Sequence, residues 1–277
     1  MAGVLDDSAD RRLVDRDAMS LDSARTGAGF TDPLSAVRLQ SGAYSAFIEL
    51  HIEQGPLLEE RKVDLGVVTA IAAPATLRLW IEGQGGHAGA VLMPQRRDAF
   101  LAAAEIALAV EAAARSTGAP DTVATTGVCD VFPGAVNSIP SRVRLEIDVR
   151  DVDQARRDSV LQKISESAQA VSTRRQVTAR SETLNADAPA QCASAIVAAL
   201  VQACETHGFS SDFMISRAYH DCLFMSRICP AAMLFIPCRA GISHHPDEYA
   251  SPEAIARGAL VLAEVLVTLS NGKIGFA

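Results

Sequence analysis

The chain has 277 residues, 49% apolar and 5% aromatic, with a formal net charge of -8. That length supports one large domain or two modest ones, with interiors built from Ala, Val, Leu and Ile. The acidic balance argues against a nucleic-acid partner, which is read from a basic stripe, and no apolar run reaches the ~18 residues of a membrane span.

Residues 1–42 are polar, charge-mixed and without periodicity, and are expected to form a loosely ordered lead-in. Asp6, Asp7, Asp10, Arg11, Arg12 and Asp15 leave no apolar core for a signal peptide. Short apolar runs at 46–52 and 65–72 predict two strands. Residues 75–82 alternate apolar and polar, as a strand with one wet face does. A Gly-rich loop follows, then a predicted helix over 97–114, strands at 122–131 and 142–150, a helix over 154–171 and a strand at 176–184. The second helix places Val160, Ile164, Ala168 and Val171 on one face. The order βαββαβ is ferredoxin-like, and the block is placed at 75–183. Beyond it, a helix at 190–205, a strand at 212–216, a helix at 221–228 and a strand at 231–236 alternate as α/β units do. Ser251 and Pro252 open a last helix, with Ile255, Ala259, Leu262, Leu266 and Leu269 as its apolar stripe. The expected fold class is therefore α/β, in two parts (1–74 and 184–277) interrupted by the ferredoxin-like insertion.

Six cysteines show no C-x-x-C spacing and read as buried free thiols. His207, in a helix-to-strand turn, reads as a surface residue. The other histidines lie in loops or at strand ends, where α/β folds build sites. His51 ends an apolar strand ahead of Gln54-Gly55-Pro56, and imidazole is a good ligand for a divalent transition metal. His244 follows the strand at 231–236, with Glu248 placed to orient its ring. His220-Asp221 opens a helix. His87 lies in a Gly-rich loop that lacks the context of a nucleotide site. Taken alone, Asn137 and Arg150 read as a solvated turn and a strand-end charge.

Several motifs act in combination: Glu49-Leu50-His51-Ile52-Glu53-Gln54-Gly55-Pro56, Gly86-His87-Ala88-Gly89, Pro133-Gly134-Ala135-Val136-Asn137-Ser138, Ser216-Arg217-Ala218-Tyr219-His220-Asp221 and Ser243-His244-His245-Pro246. Through them the chain, from Ala43 onward, resembles the dinuclear-metal amidohydrolases of the aminoacylase–carboxypeptidase clan. That clan includes allantoate, N-carbamoyl-amino-acid and plant-type ureidoglycolate amidohydrolases, and the last group is the most similar. Tyr219 is the discriminating position, because the other two groups resemble one another in having Gly before the His-Asp pair.

The resemblance implies that His51 and His244 each bind one metal, manganese in the first place and zinc as the alternative. It implies that His87 reaches from a lid domain into the partner subunit of a homodimer to stabilise an oxyanion. Asn137 and Arg150 would hold a substrate carboxylate, for which the arginine fork is suited. Gln54, Tyr219 and His220 would contact the ureido end. The implied activity is hydrolysis of (S)-ureidoglycolate in purine breakdown, with allantoate or an N-carbamoyl amino acid, or an inactive dimerising fragment, as alternatives. Plant relatives point to the endoplasmic reticulum. Members of the clan also carry a His, a bridging Asp and a Glu-Glu pair ahead of this region, whereas residues 1–42 hold no His and no Glu. The chain is therefore read as an N-terminally truncated member, expected to bind metal weakly and to turn over little.

Overall fold

The alternating and apolar runs become strands in the computed structural model, which describes residues 2, 3, 5 and 12–272. The parts of the lead-in at 1, 4 and 6–11 lie outside the described residues. Its described part holds helix α1 (Leu21–Gly27), capped by Ser20, and a 3-10 turn at Leu34–Val37, neither with a buried residue. Next come β1 (Phe47–Ile52), α2 (Leu57–Arg61), β2 (Leu65–Ile71), β3 (Ala73–Glu82) and β4 (Gly86–His87). Then follow α3 (Ala99–Arg115), β5 (Val123–Phe132), β6 (Ser138–Ile139), β7 (Arg142–Asp151), α4 (Gln154–Arg175) and β8 (Thr178–Ala186). The chain closes with β9 (Ala190–Gln191), α5 (Ser194–Thr206), β10 (Ser211–Ser216), α6 (Asp221–Met225), β11 (Ala231–Ile236) and α7 (Pro252–Ser270). Among the described residues, no helix is long and apolar enough to cross a membrane.

Two compact units result. The first comprises the described parts of Met1–Thr69, Gln191–Met214 and His220–Ala277. Its sheet runs β1-β11-β2-β10, with β9 paired to β2. β1 and β11 are parallel and in register from Phe47↔Ala231 to Ile52↔Ile236, while β11 and β2 are antiparallel. Leu65, Val67, Ala232 and Leu234 pack with Ile196 and Leu200 of α5 and with Val261 and Val265 of α7. β1 ends the sheet, so no strand pairs with its outer edge among the described residues.

Several expectations shift here. The helix predicted from 190 begins at Ser194, because Ala190–Gln191 pairs with β2 instead. The helix predicted over 221–228 stops at Met225. The stripe on the last helix is rotated by one residue: Ala254, Gly258, Val261 and Val265 are buried, while Ile255 and Leu266 are each 49% exposed. Gly258 is the reason. A Cβ there would lie 2.7 Å from both Ile236 Cγ2 and Leu50 Cδ1, so the helix docks through its smallest residues and its larger ones turn outward.

The second unit comprises Ala70–Ala190 and Ile215–Tyr219. Its sheet has the order β5-β7-β3-β8, antiparallel throughout, which is the ferredoxin-like arrangement of β3-α3-β5-β7-α4-β8. Leu77, Leu79 and Ile81 of β3 and Val143, Leu145, Ile147 and Val149 of β7 line one face. α3 and α4 cover that same face through Ile106, Val110, Val160 and Ile164. Each such side chain, fully buried, stabilises the unit by ~1.5–3 kcal/mol. Asp98 caps α3 by accepting the N–H groups of Phe100 and Leu101, and Asp153 caps α4 by accepting that of Arg156. On the other face, Arg142 and Arg144 lie over the ring of Trp80, 5.5 and 5.9 Å from its centroid.

Candidate metal centre

Residues 49 and 51 point to one side of β1 because side chains on a strand alternate with period two. They meet His220, which caps the N-terminus of α6. Donor atoms of Glu49, His51 and His220 all lie within 4.8 Å of one another. The His51 and His220 rings stand edge to face with centroids 4.7 Å apart. His51 Nδ1 donates to Ile52 O at 2.8 Å, which leaves Nε2 with the free lone pair. His220 is 5% exposed. Its Nδ1 lies 3.7 Å from Glu49 Oε1, and its Nε2 is buried without a hydrogen-bond partner among the described residues. Buried polar atoms are nearly always satisfied, so an orphan nitrogen beside a second imidazole and a carboxylate fits a site made for a cation. Two imidazoles and one carboxylate suit a divalent transition metal.

The electrostatics agree. Burial, and then the nearby His51, push the His220 imidazole from its ordinary 6.5 down to about 4, so it stays neutral and able to ligate. Burial raises the Glu49 carboxyl above its usual value, opposed by the Cys222 N–H that it accepts at 2.8 Å. Burial also pushes the neighbouring Cys222 thiol far up, which removes thiolate from the donor set.

A pH dependence of stability follows. Between about 4 and 6.5 the unfolded chain binds a proton at His220 that the folded chain refuses, so this contribution is full above 6.5 and is lost as pH falls toward 4. The raised Glu49 value acts in the opposite sense, favouring the folded state as that carboxyl protonates. The His220 effect is at most about 3 kcal/mol, at ~1.36 kcal/mol per pKa unit. In the presence of a chelator, the melting temperature is expected to fall through this window, and His220→Asn should flatten the slope. A variant as steep as the parent would remove His220 as the cause.

Gln54 and His244 form a second group in the same unit. They sit on the loops that leave the adjacent C-terminal ends of parallel β1 and β11, the usual crevice of an open α/β sheet. Both adopt left-handed backbone, each with φ of 57°, at a cost of ~1–3 kcal/mol per residue. Gln54 Nε2 lies 2.8 Å from Ser243 Oγ and 3.3 Å from His244 Nε2. Among the described residues, His244 does not join the three-donor group around His51. Glu248 does not orient the His244 ring: its carboxylate accepts the His244 backbone N–H at 3.0 Å, because the tight turn brings that N–H to it first.

The remaining sequence candidates lie in the second unit. The β4–β6 pairing sets His87 opposite Ser138, and Ala88 N donates to Asn137 O at 2.9 Å, so His87 and Asn137 share one loop pair. His87 Nδ1 accepts Gly89 N–H at 3.1 Å, which places the ring proton on Nε2 as a donor. Arg150 is engaged by Asp148, with Nε 2.7 Å from Oδ1, and by Arg217 O at 2.9 Å. The Tyr219 hydroxyl donates to the Asp187 carboxylate. Two bland expectations change. His207 is half-buried, pairs with Glu264 and stacks on Phe209. Cys129 is exposed, while the other five thiols are free and at least partly buried.

Comparison with known proteins gives a consistent picture. The profile of Peptidase family M20/M25/M40 matches residues 23–268. The chain is 51% identical over 263 residues to a ureidoglycolate hydrolase of Arabidopsis thaliana, covering 93% of this chain and 55% of the relative. It is 37% identical to an N-carbamoyl-L-amino acid amidohydrolase of Geobacillus stearothermophilus, covering 99% of this chain and 66% of that one. A crystal structure of AtUAH in complex with glyoxylate superimposes with a TM-score of 0.90 at 50% identity, over 97% of this chain and 65% of that chain. The chain thus spans little more than half the length of the plant relative.

Proposed function

The chain belongs to peptidase family M20/M25/M40, and from that premise we propose that it is part of a metal-dependent amidohydrolase that breaks down (S)-ureidoglycolate. The products would be glyoxylate, ammonia and carbon dioxide. The observation that carries the reading is the Glu49, His51 and His220 donor group in a chain far closer to a ureidoglycolate hydrolase than to a carbamoylase.

A bound divalent cation supplies Lewis-acid polarisation and a water of lowered pKa. Manganese is the first choice and zinc the second. His51, with Glu49 and His220 as neighbouring donors, would hold one cation, and His244 would hold the other. His87 offers its Nε2–H to the developing oxyanion, in the manner of an oxyanion-hole donor. Asn137 and Arg150 hold the substrate carboxylate, for which Arg150 exchanges its bond to Arg217 O. Gln54, Tyr219 and His220 face the ureido and hydroxyl end. In this reading the block at 75–183 acts as the lid of a homodimer and serves the partner subunit's cleft, while the flanking segments form the catalytic domain.

The test is to map the transcript upstream of Met1, express the longest in-frame product with Mn²⁺, and assay ammonia release from three substrates. Ureidoglycolate is expected to turn over at ordinary enzyme rates, ~1–10³ s⁻¹, and faster than allantoate or N-carbamoyl amino acids. In that protein Tyr219→Gly should slow ureidoglycolate turnover without weakening metal binding, by the ~0.5–1.5 kcal/mol of one hydrogen bond. Faster turnover of allantoate by the parent would overturn the substrate assignment.

A further inference from the structure

The two imidazoles of the donor group are held in different ways. The His51 ring is fixed by a hydrogen bond, Nδ1 donating to Ile52 O at 2.8 Å, the usual device that orients a metal-binding imidazole. The His220 ring has no such bond among the described residues. Its Nε2 has no partner, and its Nδ1 stands 3.7 Å from Glu49 Oε1, beyond hydrogen-bond reach. The second side-chain torsion of histidine is broad, so an unsupported ring would sweep its nitrogens past Glu49 and His51 rather than aim them.

Packing supplies what hydrogen bonding does not. The His220 ring stands edge to face against His51 at 4.7 Å, and the Phe235 ring lies 5.8 Å away at 53°. Both spacings fall in the range that aromatic pairs prefer. Phe235 is 1% exposed. It is the register partner of His51 on the neighbouring parallel strand, so the two side chains stand on one face of the sheet. On its other flank Phe235 is opposite Gly66 of β2. A Cβ there would collide with Met214 Sδ and lie 3.2 Å from Phe235 Cβ. A glycine inside a strand often marks a close approach, and here it leaves room for the Phe235 and Met214 side chains.

We propose that Phe235 is a positioning residue: seated in the space that Gly66 leaves, its ring holds the His220 imidazole at the angle from which a nitrogen reaches the cation. The inference rests on Glu49, His51 and His220 being a metal centre. Phe235 does by packing what the Ile52 carbonyl does for His51 by hydrogen bonding. Holding a ligand by its carbon atoms has a consequence for binding. Both ring nitrogens stay unengaged, so a cation has no hydrogen bond to displace when it arrives at His220.

The experiment uses the full 277-residue chain. Zn²⁺ affinity is read by calorimetry, the Co²⁺ complex by visible absorption, and the histidine rings by long-range ¹H–¹⁵N spectra. Phe235→Leu keeps an apolar side chain but loses the ring. It should weaken Zn²⁺ binding by the ~10–100-fold typical of outer partners and alter the Co²⁺ spectrum, which follows ligand geometry. Phe235→Tyr, which keeps the ring, should match the parent in both. Gly66→Ala should act like Phe235→Leu although Phe235 itself remains, and it is read in its place if Phe235→Leu fails to fold. Leu234→Ala is the control for lost packing, because this buried neighbour faces the other way, toward α5 and α7. It should lower the melting temperature and leave Zn²⁺ affinity and the Co²⁺ spectrum unchanged. Parental binding and spectrum in Phe235→Leu, or equal weakening by Leu234→Ala, would overturn the proposal alone. A parent whose His51 and His220 signals ignore Zn²⁺ would overturn the metal centre, and the role of Phe235 with it.

Discussion

His51→Ala is expected to abolish binding of a divalent cation at the group formed by Glu49, His51 and His220. In the parent, calorimetric titration with Zn²⁺ should show binding at this group, because three donors converge within 4.8 Å. His51 is central to it: its Nε2 is the donor freed by the Ile52 carbonyl, and its ring stands against His220. Removing it leaves one imidazole and a carboxylate that is already hydrogen-bonded to Cys222 N–H. Outer partners alone change metal affinity by ~10–100-fold, so loss of a ligand should exceed that range. Glu49→Gln should weaken binding in the same direction, while Asp247→Ala, on an exposed loop carboxylate, should leave the isotherm unchanged. Equal binding by parent and His51→Ala would take His51 out of the centre.

The Mn²⁺-loaded chain of 277 residues is expected to release ammonia from ureidoglycolate only marginally. Hydrolysis at a metal centre needs a group free to take a proton from the attacking water, a contribution of ~10²–10⁴-fold. Among the described residues, the donor group contains one carboxylate, Glu49, which cannot serve as ligand and as base in the same step. Turnover near ~1–10³ s⁻¹ by this chain alone would show that the catalytic roles have been misassigned.

The parts of the molecule written in short-range patterns were legible from sequence. The alternation of Val143, Leu145, Ile147 and Val149 and the helical spacing of Val160, Ile164 and Ala168 specify the buried faces of β7 and α4, and the structure buries each of them. The last helix departs from its expected stripe because several of its faces are apolar, and only packing against Leu50 and Ile236 shows that Gly258, with no side chain, faces the sheet. The site was partly legible. The motif singles out His51 as a candidate, whereas Glu49, two residues earlier on the same strand face, has no pattern of its own that marks it as a donor. His220 is expected at the substrate, and its approach to His51 joins segments far apart in the chain, which spacing does not encode. The meeting of Gln54 with Ser243 spans 189 positions and leaves no local trace at all.

Trp80 is the single tryptophan of the chain, and it lies on the open face of the ferredoxin-like sheet beneath two guanidinium groups. Indole emission therefore reports on that unit alone. The far-ultraviolet circular dichroism signal sums over both. If denaturant moves the two signals together, the units melt as one cooperative body. If the emission changes at a different concentration, the difference measures how far each unit stands on its own core, without any label being added.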